Sequence, residues 1–253
     1  MVDAWPQLHR RRFVIHLGRL SAAVAVFGLT ACATSESTDR PSPSPTVGSG
    51  GQSAGPAGAL TWQRVNLGFV SAYVLARDGE AAVVDTGVAG SGDDIAASLR
   101  ALGLDWAAVG HVILTHRHSD HVGGAGDVLA LAPDASAYAG AADVAAISVP
   151  RPLVAVGDGD DVFGLHIVAT PGHTAGHISV LDPAGGILVA GDALNTSGGD
   201  VSGSNPQFTD DASAAEASVR RLAGLVFETL LVGHGEPILT GADRLVQELA
   251  ASL

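Results

Sequence analysis

THRHSDH, at residues 115–121, is the stretch that decides how this chain folds, because it places three imidazoles and a carboxylate in six consecutive positions after an apolar run. Side chains alternate between faces in an extended segment, so His116 and His118 point the same way. If a helix begins just after His118, then Asp120 and His121 project from its first turn toward the same cavity. Imidazole and carboxylate groups are ligands that suit zinc. The pattern therefore predicts a metal site.

Three further segments place a His or an Asp just beyond an apolar run, where a sheet presents groups at its edge. They are TPGHTAGH (170–177), LVAGD (188–192) and LVGHGEP (231–237), which contribute His173, Asp192 and His234. Flanking glycines let the backbone pass close to the wall of a cavity. A His beside Gly in one loop is more often a solvated turn residue. Taken with the HxHxDH stretch, the three segments predict one shared site.

The rest of the chain from about residue 60 has the pattern of an α/β domain, because apolar runs alternate with Ala-rich stretches and Gly, Asp or Pro punctuation. We predict strands at 69–76, 80–85, 109–115, 162–169, 178–182, 187–190 and 229–232. We predict helices at 93–102, 121–131, 141–148, 210–222 and 241–251. No internal repeat or long linker interrupts this pattern, which predicts one domain over residues 59–253. The loops at 66–70, 88–92 and 194–208 are expected to surround the metals, and the last of them to be mobile.

Composition excludes several classes of protein. The chain has 253 residues and a net charge of −13, and its 13 basic residues are all arginine. Without lysine, Schiff-base catalysis and a P-loop ATPase mechanism are excluded. An acidic surface repels phosphate backbones, so we expect no nucleic acid and a small-molecule substrate. One cysteine, Cys32, excludes an internal disulfide.

The first 31 residues have the features of an export signal. RRRF at residues 10–13 matches a twin-arginine motif, and the apolar stretch at 20–31 is too short to span a bilayer. LTAC, which ends at Cys32, resembles a bacterial lipobox; the alternative is a simple secretory peptide in which this cysteine is incidental. Residues 32–58 are rich in Ser, Pro and Gly, which predicts a disordered tether. We therefore expect an extracytoplasmic lipoprotein that is anchored to the membrane through lipid on Cys32.

In their order along the chain, THRHSDH, PGHTAGH, LVAGDAL and VGHGEP resemble the motifs of the metallo-β-lactamase superfamily, across essentially all of residues 60–253. The resemblance implies a four-layer αββα sandwich with a dinuclear metal centre along one edge of its two sheets. It implies that one metal is bound by His116, His118 and His173. The second metal is implied to be bound by Asp120, His121 and His234, and Asp192 to bridge both. Asp85 matches an Asp that holds the metal-site loops, and His177 matches a position that is not a ligand.

Two Zn²⁺ ions at such a centre lower the pKa of a water between them and supply a bridging hydroxide at neutral pH. Asp120 would orient that nucleophile and pass its proton to the leaving group. This predicts hydrolysis of an ester, thioester, lactone or β-lactam carbonyl. Asp192 and the lack of a cysteine ligand indicate the glyoxalase II-like or lactonase-like branch.

Three alternatives stay open at this point. The first is a β-lactamase proper. The second is an oxidoreductase that resembles persulfide dioxygenases and binds one iron through two His and one Asp. The third is a surface binding protein whose metal site is catalytically idle.

Overall fold

The computed structural model describes residues 58–253 of the chain. The predicted signal at 1–31, the lipidated Cys32 and all but the last residue of the predicted tether at 32–58 lie outside the described residues. Over residues 58–253, none of the helices has both the length and the apolar character needed to cross a membrane.

The first sheet has six strands in the order β1-β2-β3-β4-β5-β6. Strands β1 to β3 are antiparallel neighbours, whereas β3 to β6 run parallel. The strands are β1 Thr61–Asn66, β2 Ser71–Arg77, β3 Glu80–Val84, β4 Val109–Leu114, β5 Ser136–Gly140 and β6 Val154–Val156. The turn between β2 and β3 is formed by Asp78 and Gly79, which both have positive φ, as the predicted hairpin requires.

The second sheet has five strands in the order β13-β10-β9-β8-β7. Its strands are β7 Asp161–Val162, β8 Leu165–Ala169, β9 Ile178–Asp182, β10 Ile187–Gly191 and β13 Thr229–Val232. A separate hairpin is formed by β11 Leu194–Ser197 and β12 Asp200–Gly203. Strands β8 and β10 are both antiparallel to β9, and β13 is parallel to β10, so these three strands end at the same edge.

Residues 58–253 form five α-helices: α1 Gly92–Ala101, α2 Ser119–Val122, α3 Ala125–Leu131, α4 Ala212–Leu222 and α5 Ala242–Ser252. The first sheet packs against α1 and α3 through a core that includes Val83, Ile95 and Val128. The two sheets pack face to face through Leu75, Ile113 and Ile167, among others. The second sheet packs against α4 and α5 through Leu188, Val219 and Val246. The order of layers is therefore αββα, which confirms the predicted fold class.

Strand β2 shows how the sequence builds this layering. Its successive side chains point to opposite faces, so Val74 enters the core beneath the helices while Tyr73 and Leu75 enter the core between the sheets. Burial raises the pKa of Tyr73 to about 12. Its hydroxyl donates a hydrogen bond of 2.8 Å to the carbonyl of Val232. This bond ties the second sheet to the first next to the strand end that carries His234.

The structure corrects two predicted helices. The helix predicted at 121–131 is divided into α2 and α3 at Gly123 and Gly124. A Cβ atom on Gly123 would lie 2.4 Å from the carbonyl oxygen of Ser119, and one on Gly124 would lie 2.4 Å from that of Thr86. Backbone contact at this point requires both glycines. The helix predicted at 141–148 is wrong, because only a 3₁₀ turn at Val144–Ala146 forms there.

Several strands were not predicted. Strands β1, β5 and β6 lie in stretches where the apolar alternation is short or Ala-rich. The single strand predicted at 162–169 is a hairpin that turns at Phe163 and Gly164, both with positive φ. The loop predicted to be mobile at 194–208 instead contains the β11–β12 hairpin, followed by a 3₁₀ turn at Pro206–Phe208.

Candidate metal centre

The candidate metal centre lies where five strands of the two sheets end. Asp85 directly follows β3, and Thr115 directly follows β4. In the second sheet, Thr170, Asp192 and Gly233 directly follow β8, β10 and β13. Because these strands end at one edge of the sandwich, the polar segments that come next in the sequence meet there.

One group of ligand atoms comes from the loops after β4 and β8. His116 Nε2 lies 3.1 Å from His118 Nδ1, which in turn lies 2.9 Å from His173 Nε2. The three nitrogens belong to a cluster compact enough for a single ion. His116 and His173 are fully buried, whereas His118 is partly exposed. This is the group that the resemblance assigned to the first metal.

A second group comes from α2 and the segment after β13. His234 Nε2 lies 3.3 Å from Asp120 Oδ2, and His121 Nε2 lies 3.8 Å from the same oxygen. These three side chains also form a cluster that one ion can satisfy. His121 is fully buried, and the exposed fractions of the His234 and Asp120 side chains are 32% and 28%. The second site is therefore the more open of the two.

Asp192 stands between the two groups. Its Oδ2 lies 3.3 Å from His173 Nε2 in the first group and 3.2 Å from His234 Nε2 in the second. Its Oδ1 lies 3.2 Å from His121 Nε2. One carboxylate therefore reaches nitrogens of both groups, as the predicted bridging role requires.

The donor atoms fit metal ions. Two ligands bound tetrahedrally to one zinc at its usual bond lengths lie roughly 3.3 Å apart, which is close to the separations within both groups. His121 Nε2 and Asp192 Oδ1 are buried and lie 3.2 Å apart, but the geometry between them is not that of a hydrogen bond, and neither has another hydrogen-bond partner among the described residues. Two buried polar atoms without partners are costly unless a cation lies beside them. We infer that this pocket of nitrogen and oxygen atoms is built to hold cations.

The pKa values of the histidines differ between the two groups of predicted ligands. Burial lowers the pKa of His116 well below its usual value, and it lowers the pKa of His173 to about 4. Neutral imidazole is the form that binds metal. Hydrogen bonds to Asp120 and Asp192 instead raise the pKa of His234 to about 10. Positive charge is thus favoured beside these two carboxylates, and a metal ion would supply it in place of the proton.

Asp85 orients the buried side chain of His121, a predicted ligand. Its carboxylate accepts hydrogen bonds from His121 Nδ1 at 2.8 Å and from the backbone N–H and hydroxyl of Thr115 at 2.7 Å each. The bond to Nδ1 leaves the other ring nitrogen of His121 free to act as the ligand atom. The structure thus gives Asp85 the loop-holding position that the sequence predicted.

Both ring nitrogens of His177 form hydrogen bonds, one of which supports Asp192. The backbone N–H of Asp192 donates to His177 Nε2 at 3.0 Å, so the ring proton lies on Nδ1, which faces the hydroxyl of Thr170 at 2.8 Å. Burial lowers the pKa of His177 to about 3, which keeps it neutral. From Thr170 the hydrogen bonds continue through Ser179 to the carbonyl of Ala190. This chain of bonds fixes the backbone from which the Asp192 side chain projects.

Asp143 was missed by the sequence analysis. Its buried carboxylate accepts hydrogen bonds from the N–H of Arg117, the hydroxyl of Thr174 and the N–H of Gly176. It therefore joins the loop after β4 to the loop after β8. A polar residue just past a strand is the signal that identified the other site residues. This signal was overlooked at Asp143 because strand β5 was not predicted and residues 141–148 were assigned to a helix.

A cavity of about 1050 Å³ opens onto the centre. Two of the three loops expected around the metals line it, through Phe69 and through residues between Asn195 and Thr209. The third, at 88–92, does not; it lies behind α2, where Gly123 packs against Val88 and Ala89. The structure thus brings all seven predicted ligands together beside one cavity. Their roles as ligands remain a prediction.

Comparison with known proteins identifies the family. A family model described as the metallo-beta-lactamase superfamily matches residues 65–234. A hydroxyacylglutathione hydrolase from Xanthomonas axonopodis pv. citri is 35% identical over 179 residues, or 68% of this chain and 63% of that enzyme. This chain therefore spans less than two thirds of that relative.

Solved structures agree with the family match. The metallo-beta-lactamase family protein TTHA1429 from Thermus thermophilus is 25% identical, with a TM-score of 0.59 over 76% of this chain and 78% of that one. TTHA1623, solved in a di-iron-bound form, is also 25% identical, with a TM-score of 0.59 over 73% of this chain and 95% of that one.

Proposed function

Because the chain belongs to the metallo-beta-lactamase superfamily, we propose that it is a hydrolase with two zinc ions that cleaves an ester, thioester, lactone or β-lactam carbonyl. The observation that carries this proposal is the position of Asp192, whose carboxylate lies within 3.3 Å of ring nitrogens from both histidine groups. A shared carboxylate between two such groups favours two ions over one. TTHA1623, which has this fold, was solved with two irons. Metal analysis must therefore first test whether the metal in the present chain is zinc.

Bound divalent cations would polarise the carbonyl and lower the pKa of a water molecule toward neutrality. Asp120 lies at the open side of the centre, and its hydrogen bond with His234 lowers its pKa, so the carboxylate is the form present at neutral pH. We infer that the Asp120 carboxylate would accept the proton of the attacking water and return it to the leaving group. The oxygen of water joins the acyl carbon, and the bond from that carbon to the leaving group breaks.

The known relatives favour ester-like and thioester substrates. One relative acts as a hydroxyacylglutathione hydrolase, and this supports a thioesterase or esterase activity for the present chain. A β-lactam remains within the proposed class, because the same attack on a carbonyl opens a lactam ring. Assays of the full chain on thioesters, esters, lactones and nitrocefin would rank these substrates.

The test combines metal content with turnover in one preparation. We expect about two zinc ions per chain, and hydrolysis that chelation abolishes and added zinc restores. One iron per chain with oxygen consumption would instead support the dioxygenase-like alternative and contradict our proposal.

Asp120→Asn tests the proton-transfer role. Because a positioned acid or base contributes about 10² to 10⁴ in rate, we expect kcat to fall at least about 100-fold. Asp127→Asn is the matched control, since Asp127 is exposed on α3 and away from the cavity. An Asp120→Asn protein with normal kcat would contradict the role given to Asp120.

We further propose that the chain is exported by the twin-arginine route and is held outside the cytoplasm by lipid on Cys32. The support is in the sequence: RRRF at 10–13, the single cysteine after LTA, and the Ser/Pro/Gly-rich segment that follows. The proposed partners are thus a membrane and a small-molecule substrate, and the acidic charge argues against nucleic acid.

A further inference from the structure

The walls of the cavity differ from the metal centre at its base. Beyond the ligands, the apolar side chains that line the cavity are those of Ala215 and Val219 of α4, Phe69, Phe208 and Leu253, among others. Neutral polar residues, mainly Ser, Thr and Asn between Asn195 and Thr209, line the rest. Phe69 and Phe208 have exposed fractions of 63% and 56% although they are large apolar side chains. Exposed aromatic side chains that line one cavity indicate a surface that can bind an apolar ligand.

The charged side chains around the cavity also favour an uncharged ligand. Apart from the metal-site residues, the charged side chain among the described residues that line the cavity is Glu216 on α4, and no arginine lines it. Nearby arginines are already paired: Arg117 contacts Asp143 and Asp210, and Arg64 contacts Glu236. Arg220, one turn further along α4, lies 3.6 Å from Glu216 itself. A negative group on the substrate, away from the reacting carbonyl, would therefore find no arginine among the residues that line the cavity.

We propose, on the basis of the hydrolase function above, that this cavity takes an uncharged, apolar acyl chain and discriminates against substrates with a second negative charge remote from the scissile bond. Each methylene group that becomes fully buried is worth about fourfold in affinity. A carboxylate placed among the same walls loses water and gains no cationic partner, only neutral hydroxyl and amide groups. The cavity is large enough for a medium-length chain, since pockets that hold drug-sized ligands have volumes of about 300–1,000 Å³.

A pair of substrates that differ only in the remote group tests the proposal on the full, metal-loaded chain. p-Nitrophenyl hexanoate and mono-p-nitrophenyl adipate have the same chain length, but the second ends in a carboxylate. Hydrolysis of either transfers the acyl group to water and releases p-nitrophenolate. We expect kcat/KM to be at least tenfold higher for the hexanoate, and to rise about two- to fourfold per methylene from acetate to hexanoate.

Two variants with matched controls connect these preferences to the cavity. Glu216→Gln should reduce the hexanoate-to-adipate ratio about threefold, whereas Glu248→Gln, exposed on α5 outside the cavity, should leave it unchanged. Phe208→Ser should reduce the hexanoate-to-acetate ratio about fivefold. Leu239→Ser removes an equally exposed apolar side chain that does not line the cavity, and should leave that ratio unchanged.

Binding of inert analogues separates this inference from the hydrolase proposal. Hexananilide and adipanilic acid carry the same two acyl chains as amides, and calorimetry gives their affinities even if no ester is hydrolysed. Tighter binding of the uncharged amide, with a smaller difference in Glu216→Gln, supports the inference. Equal or tighter binding of adipanilic acid overturns it. Absence of turnover on every ester, thioester, lactone and β-lactam of the panel, with that binding preference intact, overturns the hydrolase proposal alone.

Discussion

Asp85 shows how much the centre depends on single residues outside the ligand set. Its backbone has φ of 58°, a left-handed conformation that non-glycine residues seldom adopt. The conformation is retained because the buried carboxylate accepts three hydrogen bonds, one of which comes from the predicted ligand His121. Local strain is thus offset by contacts that set the orientation of a metal ligand.

Asp85→Asn tests that positioning role. An amide offers one acceptor oxygen and places an N–H₂ group against the N–H and hydroxyl donors of Thr115. We expect the affinity for the second zinc to fall about 10- to 100-fold, the usual effect of losing a partner of a metal ligand. Competition with a chromogenic chelator measures it, and Asp94→Asn on the exposed face of α1 is the control. Unchanged zinc affinity would contradict the role of Asp85.

At the scale of elements, the centre depends on backbone segments that pass very close to the ligands. Gly233, directly after β13, is such a point. A Cβ atom there would lie 2.2 Å from Asp192 Oδ1 and 2.6 Å from His121 Cε1. The N–H of Gly233 donates to the carbonyl of Gly191, and its own carbonyl accepts from Ser71. The segment is therefore held on both sides and has no room to withdraw.

Gly233→Ala tests this close approach. The added methyl group must displace Asp192 or His121, so we expect zinc affinity to fall at least tenfold. Overpacking should also lower the free energy of unfolding by about 1–3 kcal/mol. Gly110→Ala in β4 is the matched control, because a Cβ atom there meets nothing within 4 Å. The measurements are the chelator competition and urea unfolding. A Gly233→Ala protein that binds zinc like Gly110→Ala would show that the backbone can adjust.

At the scale of the whole molecule, the two sheets contribute complementary parts of one centre. The first sheet supplies His116, His118, Asp120 and His121, and the second supplies His173, Asp192 and His234. Metal ions that contact both sets would join the two halves of the sandwich. Since such ions bind the folded chain and not the unfolded one, they add to its stability.

Chelation should therefore lower the melting temperature. At free zinc about 100-fold above Kd, binding adds about 2.7 kcal/mol, which corresponds to a shift of roughly 5–10 °C for a chain of this size. Calorimetry with and without chelator measures the shift. Asp192→Asn, which weakens the shared carboxylate, should show a smaller one. If a sample shown to contain metal gave the same melting curve with and without chelator, this would contradict a centre that spans both sheets.

Anchoring is a second property of the whole molecule. We expect the full chain, produced in a bacterium with a twin-arginine pathway, to incorporate labelled palmitate and to sediment with membranes. Cys32→Ser should abolish both, since lipid attachment requires the thiol, while Ser37→Ala in the predicted tether should change neither. Labelling that survives in Cys32→Ser would contradict the assignment of this cysteine.

The sequence by itself determined the ligand types and the strands that deliver them. HxHxDH after an apolar run, and His or Asp beside glycine after three others, are local patterns, and β4, β9, β10 and β13 were predicted nearly to the residue. Helices α1, α4 and α5 were also predicted, because caps and apolar periodicity are local. These features survive folding because they depend on neighbours in the chain.

Only the tertiary structure decided which residues support the ligands and what the cavity offers a substrate. Asp143 links two loops that lie on either side of it in the sequence, one before β5 and one after β8. Gly123 and Gly124 divide a helix because the backbone of another loop packs against them. Phe69 and Phe208, which are far apart in the sequence, line one cavity. Each of these depends on contacts between segments distant in sequence. Such contacts form only when the sheets pack together, so no local sequence pattern predicts them.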